Sequence, residues 1–486
     1  MKKILIFKIF VVLLVLSGCS VGPNYKRPDA PVSSSFKELK GWREALPRDQ
    51  EIRTKWWEAF EDPILNTLAE QVNVSNQSIA LAASQYRQAQ ALVQLARANF
   101  CPTVSAGAAY THSLPPGGAG TYSTIDQHQV SLNAAWELDL WGKVRRQVES
   151  STATAEASFA DLQAMRLSMQ TELALNYFQL RILDAQKKNL EDAVTAYGKA
   201  LELTQNRYNA GVVAKADVAA AQTQLKSTQA QAIDVGVQRA QLEHAIAILT
   251  GKPPADFSLP PVTFASPQIK IPVGIPSDLL ERRPDIASAE RKMAAANAQI
   301  GVAKAAYYPS ISLSGSLGYA SSELATLFTS PSFFWAIGPM AVAATLLDGG
   351  ARMAQTEQAI AAYDGTVAFY RQTVLTGFQN VEDNLAALRI LDEEAQVQEQ
   401  AVKSAQESAI LTTNQYKAGV VSYLNVVTAQ TIALTNERAA ITISGQRLSA
   451  AVLLIKALGG GWSTSEAPGV NPANLNPPPA RGKNAP

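Results

Sequence analysis

The chain has 486 residues, a formal net charge of +1 and 47% hydrophobic residues. The near-neutral balance, with no basic stripe, argues against a nucleic-acid partner. No run of 18 apolar residues follows the N-terminus, so no transmembrane helix is expected there. Length alone suggests about three domains, but an internal duplication favours two intertwined halves.

Lys2 and Lys3 precede an apolar run from Ile4 to Leu16 broken only by Lys8, and Leu16-Ser17-Gly18-Cys19 fits a bacterial lipoprotein cleavage site. Residues 1–18 therefore read as a signal peptide, with Cys19 as the acylated first residue of the mature chain. An ordinary secretory signal with an incidental Cys is the bland alternative. Each buried CH₂ is worth roughly 0.8 kcal/mol, so two or three acyl chains anchor a protein permanently. Apart from this covalent lipid no cofactor is expected. With Cys19 acylated, Cys101 has no partner for a disulfide and reads as a small buried residue.

Residues 19–61 are rich in Pro and polar residues and suit an extended segment, with Trp56, Trp57, Phe60 and Leu65 around Asp62-Pro63 as the first packed residues. A first repeat spans 62–250. Its helix runs from Ile64 to about Ala98 and is ended by Pro102. The period then drops to two, weakly over Thr103–Thr111 and clearly over Val130–Leu140, around a Pro115-Pro116-Gly117-Gly118 loop. This predicts a β-hairpin at about 103–140 with strands of about ten residues, the length of a tilted membrane strand. A soluble β-sandwich alternates in the same way. No proline occurs between Pro116 and Pro253, and Met169, Leu173, Leu180, Leu190, Val194, Tyr197 and Leu201 form a coiled-coil-like stripe. A helix from Lys143 to Tyr208 would be roughly 100 Å long, with a tip near 208–215 and a return helix over Lys215–Leu249.

A Pro-rich linker, 251–280, leads to a second repeat, 281–458. Glu281-Arg282-Arg283-Pro284-Asp285 opens its helix, and a β-hairpin follows at about 310–347, less regular in Phe333–Leu347, where Pro339 lies. Tyr307, Tyr308, Tyr319, Phe333, Phe334 and Trp335 gather near the strand ends as interface girdles do. Long helices are expected over Ala351–Tyr416 and Ser422–Leu458, with a tip near 416–422, and 459–486 as a disordered tail.

The halves echo each other. Leu203–Gln222 and Leu411–Gln430 share eleven of twenty residues at an offset of 208. Phe100–Ser105 matches Tyr307–Ser312, and Trp141–Arg145 matches Asp348–Arg352, both at 207. In each copy a Tyr precedes a Gly and a Val-Val pair, and Gly permits the φ > 0 at which a helix can end and the chain reverse. A period this long means two structural halves rather than a solenoid. Four strands cannot close a membrane barrel, and an open edge in lipid leaves backbone groups unsatisfied. Two copies would give eight strands, too few for a wide lumen; three would give twelve, which leans towards a trimer.

The chain resembles the outer-membrane factor family, the TolC/OprM type, in its NodT-like lipoprotein branch. The resemblance rests on Val21-Gly22-Pro23-Asn24-Tyr25-Lys26-Arg27-Pro28, Asp62-Pro63-Ile64-Leu65, Leu279-Leu280-Glu281-Arg282-Arg283-Pro284-Asp285-Ile286, Tyr308-Pro309, Asp348-Gly349-Gly350 and both Tyr-x-Ala-Gly-Val-Val tips, and covers nearly all of 19–462. It implies a mixed α and β subunit with four membrane strands and very long helical hairpins. Three such subunits would form a twelve-stranded β-barrel in the outer membrane continued by a periplasmic α-helical barrel. The implied function is the passive exit duct of a tripartite system for drugs or toxic small molecules. Its implied partners are a periplasmic membrane-fusion adaptor, an inner-membrane pump with the RND type favoured, and outer-membrane lipid.

Carried over position by position, the resemblance implies that Asp217 bonds Tyr416 at the periplasmic gate, and that Leu424 is an apolar constriction beside Asn425 and Thr428, where relatives carry carboxylates. A bracing Arg of some relatives falls on Val421. The tips Gly211-Val212 and Gly419-Val420 are the implied adaptor contacts. A duct for type I protein secretion is the alternative within transport. From other classes, a lipid-anchored periplasmic enzyme finds little support: His112, His128 and His244 are the only histidines, none spaced for a metal, and no nucleophile elbow or phosphate loop occurs. A poreless coiled-coil adaptor is the third option.

Overall fold

The structure, a computed structural model, describes residues 20–33, 35–38, 55–114, 124–262 and 282–461. The signal peptide, the lipidation residue Cys19, the Pro115–Gly118 loop, most of the linker and nearly all of the tail lie outside the described residues.

Asp62 starts the first helix, α1 (Pro63–Ser75), by accepting from the amides of Ile64 and Leu65, with Pro63 at the first helical position. The single helix expected over 64–98 is in fact two. Asn76 leaves helical geometry, accepts from the amides of Ser78 and Ile79 to start α2 (Gln77–Ala98), and donates its own amide to Leu249 O at 2.9 Å.

Strands β1 (Thr103–Ser113), β2 (Ile125–Leu138), β3 (Ser310–Ser321) and β4 (Phe333–Ala343) form one antiparallel sheet in the order β1-β2-β3-β4. β4 stops four residues short of the expected Leu347. Cys101, expected inside, is exposed, because it lies in the turn joining α2 to β1 rather than in a packed element.

Two helical hairpins make up the rest. In the first, α3 (Lys143–Asn209, 67 residues) returns through α4 (Lys215–Leu249, 35 residues). After α5 (Pro284–Ala305), the second pairs α6 (Ala351–Lys417, 67 residues) with α7 (Tyr423–Ala457, 35 residues). At 1.5 Å per residue the long members reach about 100 Å. The hairpins superpose at an offset of 208 throughout. The first strands, β1 and β3, start 207 residues apart and the second, β2 and β4, already 208, so one residue is gained within the β-hairpin, and the match of Trp141 with Asp348 slips by one. The ion pairs Arg239–Asp184 (2.7 Å) and Arg447–Asp392 (2.6 Å) repeat at the same 208 spacing.

The halves are packed unequally. Along α3, 22 residues are buried, including Leu173, Leu180, Leu190 and Tyr197 of the predicted stripe; along the equally long α6 only seven are. The first half keeps Trp56, Trp57 and Phe60 over Tyr177 and Phe178. Residues 20–33 run as a strap outside any helix or strand, and 35–38 form a turn at its end. Buried Arg146 donates to the carbonyls of Val21 and Gly22 and to Asn24 Oδ1, Tyr25 Oη donates to Glu290 at 2.6 Å, and Glu38 pairs with Arg389 at 2.8 Å. Burial and the Glu290 carboxylate push the Tyr25 phenol far above its usual range.

Candidate functional site

The register of the sheet sorts its side chains. Val104, Ala106 and Ala108 of β1 lie opposite Ala134, Leu132 and Val130 of β2. Those align with Gly315, Leu317 and Tyr319 of β3, which meet Ile337, Trp335 and Phe333 of β4. One face is therefore apolar from edge to edge. The other carries Ser105, Gly107, Ser131, Asn133, Ser314 and Ser316. Leu132, Leu317, Trp335 and Ile337 are exposed, so among the described residues nothing covers the apolar face over them. Strands of 11 to 14 residues, tilted, cross an apolar band about 25 Å tall. Aromatic side chains mark both levels: Tyr319 meets Phe328 and Phe333 at the loop end, and Trp141 stacks on Tyr308 at 4.8 Å at the helical end.

The strap begins at that helical end. Val21 N donates to Trp141 O at 3.1 Å, and Ser20 lies so close to Gly142 that a Cβ there would meet it at 2.8 Å.

At the far end both hairpins close through the same turn. Val212 N donates to Arg207 O and Gly211 N to Tyr208 O; Val420 N donates to Gln415 O and Gly419 N to Tyr416 O. This is the Schellman arrangement, with φ of 74° and 79° at Gly211 and Gly419. Val212 and Val420 stand exposed at the apices, in the tips for which the resemblance implies adaptor contacts.

Tyr416 is buried, but not with Asp217. Its hydroxyl donates to Thr204 Oγ1 at 3.3 Å, which is free to accept because Thr204 spends its own proton on Ala200 O. Arg207 lies 4.7 Å above the Tyr416 ring and donates to Tyr416 O at 2.5 Å, satisfying a helix-end carbonyl. Asp217 sits in the first turn of α4, where the helix dipole favours a carboxylate. Tyr423, buried against Tyr416, Ala221 and Val426, has a phenol pushed up to about 12 by burial and then by Tyr416, Tyr197 and Asp217. Leu424, Asn425 and Thr428 share the exposed face of the first turns of α7, and Thr428 Oγ1 donates back to Leu424 O. Leu424 is 66% exposed.

Thr204, Arg207 and Tyr423 were not singled out from the sequence. The signals were slight: a basic residue in the last turn of α3, a Leu-Thr pair common to both repeats, and an aromatic in phase with Val426 and Ala429. Among the described residues no group of three or more His, Cys, Asp or Glu is placed to hold a metal ion.

Comparison with known proteins adds a second line. The profile described as "Outer membrane efflux protein" matches residues 68–252 and 275–460, in two blocks that mirror the duplication. The solvent efflux pump outer membrane protein SrpC of Pseudomonas putida is 32% identical over 471 residues, covering 93% of this chain and 98% of that protein. The outer membrane protein OprJ of Pseudomonas aeruginosa is 32% identical over 463 residues, covering 93% and 95%. Among solved structures, the outer-membrane channel OprN superposes with a TM-score of 0.86 at 30% identity over 91% of this chain and all of that one. The CmeC outer membrane channel of Campylobacter jejuni gives 0.85 at 26% identity, covering 92% and 96%.

Proposed function

The chain belongs to the outer membrane efflux protein family, and we propose that three copies of it close into a tunnel gated at its helical tips. It is the outer-membrane channel of an efflux system and lies in the outer membrane. Its family transports rather than catalyses.

The sheet carries the trimer reading. It has one apolar and one polar face and two free edges, β1 and β4. Lipid offers no partner for an unpaired edge, so the edges must meet other copies. Three copies bring twelve strands, with the serine-rich face lining water and the leucine- and tryptophan-bearing face meeting lipid. The sparse burial of α6 agrees: Phe369, Val397 and Ile410 lie exposed along it and need a neighbour.

Anchoring follows from the strap. Ser20 lies at the aromatic belt on the helical side of the sheet, so acyl chains on the preceding Cys19 would enter the inner leaflet of the outer membrane there. The apices Gly211-Val212 and Gly419-Val420 would dock a periplasmic adaptor that joins the tunnel to an inner-membrane pump, with the RND type favoured. Leu424, with the uncharged Asn425 and Thr428, would form the constriction.

Relatives are named for efflux of solvent, toluene and antibiotic, and the cargo proposed here is of that kind: drugs and toxic small molecules. Deleting the gene should sensitise cells to such compounds, and purified trimers should conduct ions across planar lipid films. Monomers that never conduct would overturn the reading. Loss of one secreted protein from the medium, with unchanged drug sensitivity, would move it to protein export.

A further inference from the structure

Near the C-terminal end of α7 a recess is sunk between α3 and α6, with α7 as its floor. Its volume is about 620 Å³, within the range of small-molecule sites. Ile182 of α3 lies against bare Gly445 of α7, where an added Cβ would stand 2.9 Å from it, so the floor packs close to that wall. Ile182, Leu391 and Leu453 supply apolar surface. Gln179, Gln186, Asn384, Thr442, Gln446 and Ser449 supply amides and hydroxyls. Gln186 donates to Thr442 Oγ1 at 3.2 Å and Asn384 to Asn380 O at 2.6 Å, whereas Gln179 and Gln446 stand exposed. Among the described residues no charged side chain lines the recess, and the neighbouring Asp392 and Arg447 neutralise each other at 2.6 Å.

The direction in which it opens follows from what covers the other side of the same helices. Phe36 at the end of the strap, with Trp57, Phe60 and Leu259, packs on Tyr177 and Phe178 of α3, Val381 and Leu385 of α6, and Leu448 and Val452 of α7. The strap begins beside a lipidated residue, so this belt lies outside the tunnel. On each of the three helices the residues of the recess stand about 130–180° round from those under the belt, at 3.6 residues per turn. The side away from the belt is the bore.

We infer that this recess is a resting site for cargo on the tunnel wall, one in each chain, and that it takes neutral, amphipathic small molecules in preference to ions. Amides both donate and accept hydrogen bonds, so they suit hydroxyl, carbonyl and amide groups of many shapes. The aliphatic patch takes a ring or a chain. An ion gains no partner charge there to offset its loss of water. The inference deepens the tunnel reading above and rests on it.

Chloramphenicol, a neutral amphipathic antibiotic, and its anionic succinate ester are the probes, titrated into the full-length lipoprotein in detergent. Chloramphenicol should bind saturably, one molecule per chain, and the ester at least tenfold more weakly. Gln446→Leu, which keeps the size of an exposed side chain and removes its amide, should weaken binding at least fivefold, and Ala387→Trp, which fills the recess, should abolish it. Orientation is read with a charged methanethiosulfonate reagent on channels in planar films, in a Cys101→Ser background. At Gln446→Cys it should lower single-channel conductance stepwise, once per chain, and bound chloramphenicol should slow the reaction. At Lys188→Cys, beside Pro261 on the belt side, conductance should not change. If conductance falls at Lys188→Cys and not at Gln446→Cys, the recess opens outwards and the inference is overturned. If trimers conduct but chloramphenicol does not bind saturably, or binds Gln446→Leu and Ala387→Trp as well as the wild type, the resting site fails and the tunnel stands. If native mass spectrometry finds no trimer, the tunnel reading fails and a site on its wall fails with it.

Discussion

Tyr423 meets Tyr416 edge to face, with ring centroids 5.3 Å apart, yet only one of the two hydroxyls is bonded. The Tyr423 oxygen is buried without a hydrogen-bond partner. A dry, unpaired hydroxyl costs free energy that its removal returns. Tyr423→Phe should therefore raise the melting temperature of the detergent-solubilised protein, with a gain of about 1 kcal/mol per chain. The phenol is held up from 10.0 to about 12 in the folded protein, so its neutral form stabilises the fold fully below pH 10 and that contribution is lost as pH rises towards 12. Melts across this window should show an alkaline loss that is smaller in Tyr423→Phe. Equal losses in both proteins would assign the titration elsewhere.

Tyr416 is tied to α3 rather than to Asp217, and the two readings diverge on substitution. Tyr416→Phe removes a bond between hairpins worth about 0.5–1.5 kcal/mol and should raise single-channel conductance. Asp217→Asn keeps the size of a side chain whose charge serves the first turn of α4 and should leave conductance within about twofold, given a dipole effect of roughly 0.3–1 kcal/mol. The opposite ranking would restore the carboxylate to the gate.

How far the sequence could be read depended on whether a feature was local. Gly211 and Gly419 were legible because a helix-ending turn at φ near 75° is open to few other residues. The membrane strands were legible because their period is two and their polar and apolar sets alternate. The break at Asn76 was not, because Asn is tolerated within helices and its cap is fixed by Leu249, 173 residues away. Thr204 and Arg207 escaped for the same reason: each acts on a tyrosine some 210 residues distant, brought near by the way two hairpins cross. The expected pairing of Asp217 came from resemblance, and in this chain a buried threonine offers the nearer acceptor.

Leu424 presents an apolar side chain between the neutral Asn425 and Thr428, so this constriction would act by packing and exclusion of water rather than by a charged ring. Leu424→Ala should widen it and raise conductance in planar films, with little effect on stability because the side chain is exposed. Unchanged conductance would move the narrowest point away from α7.

Arg146 holds the strap through three groups on residues 21–24, and Gly22 approaches Gly301 so closely that an added Cβ would lie 2.5 Å from its Cα. Arg146→Ala strands these acceptors beside a hole and should cost about 2–4 kcal/mol. Gly22→Ala adds a methyl group where there is no room, at a φ of 99°. Both variants should expose residues 20–38 to limited proteolysis sooner than in the wild type. A strap that stays protected in both would show that its hold comes from the contacts at Tyr25 and Glu38 instead.

Neighbouring residues on β3 separate the two faces of the sheet most directly. Leu317 lies on the apolar face opposite Trp335, and Ser316 on the polar face opposite Asn133. An arginine facing lipid near mid-membrane costs about 2–4 kcal/mol, and a trimer would bear that cost three times. Leu317→Arg should therefore assemble poorly and be depleted from outer-membrane fractions. Ser316→Arg places a guanidinium in water, where it costs little, so this variant should assemble normally. Three such charges around one lumen would repel cations, and the channel should shift towards anion selectivity, read as a change in reversal potential under a salt gradient. If Leu317→Arg inserts and Ser316→Arg does not, the sheet is inside out relative to the tunnel proposed here.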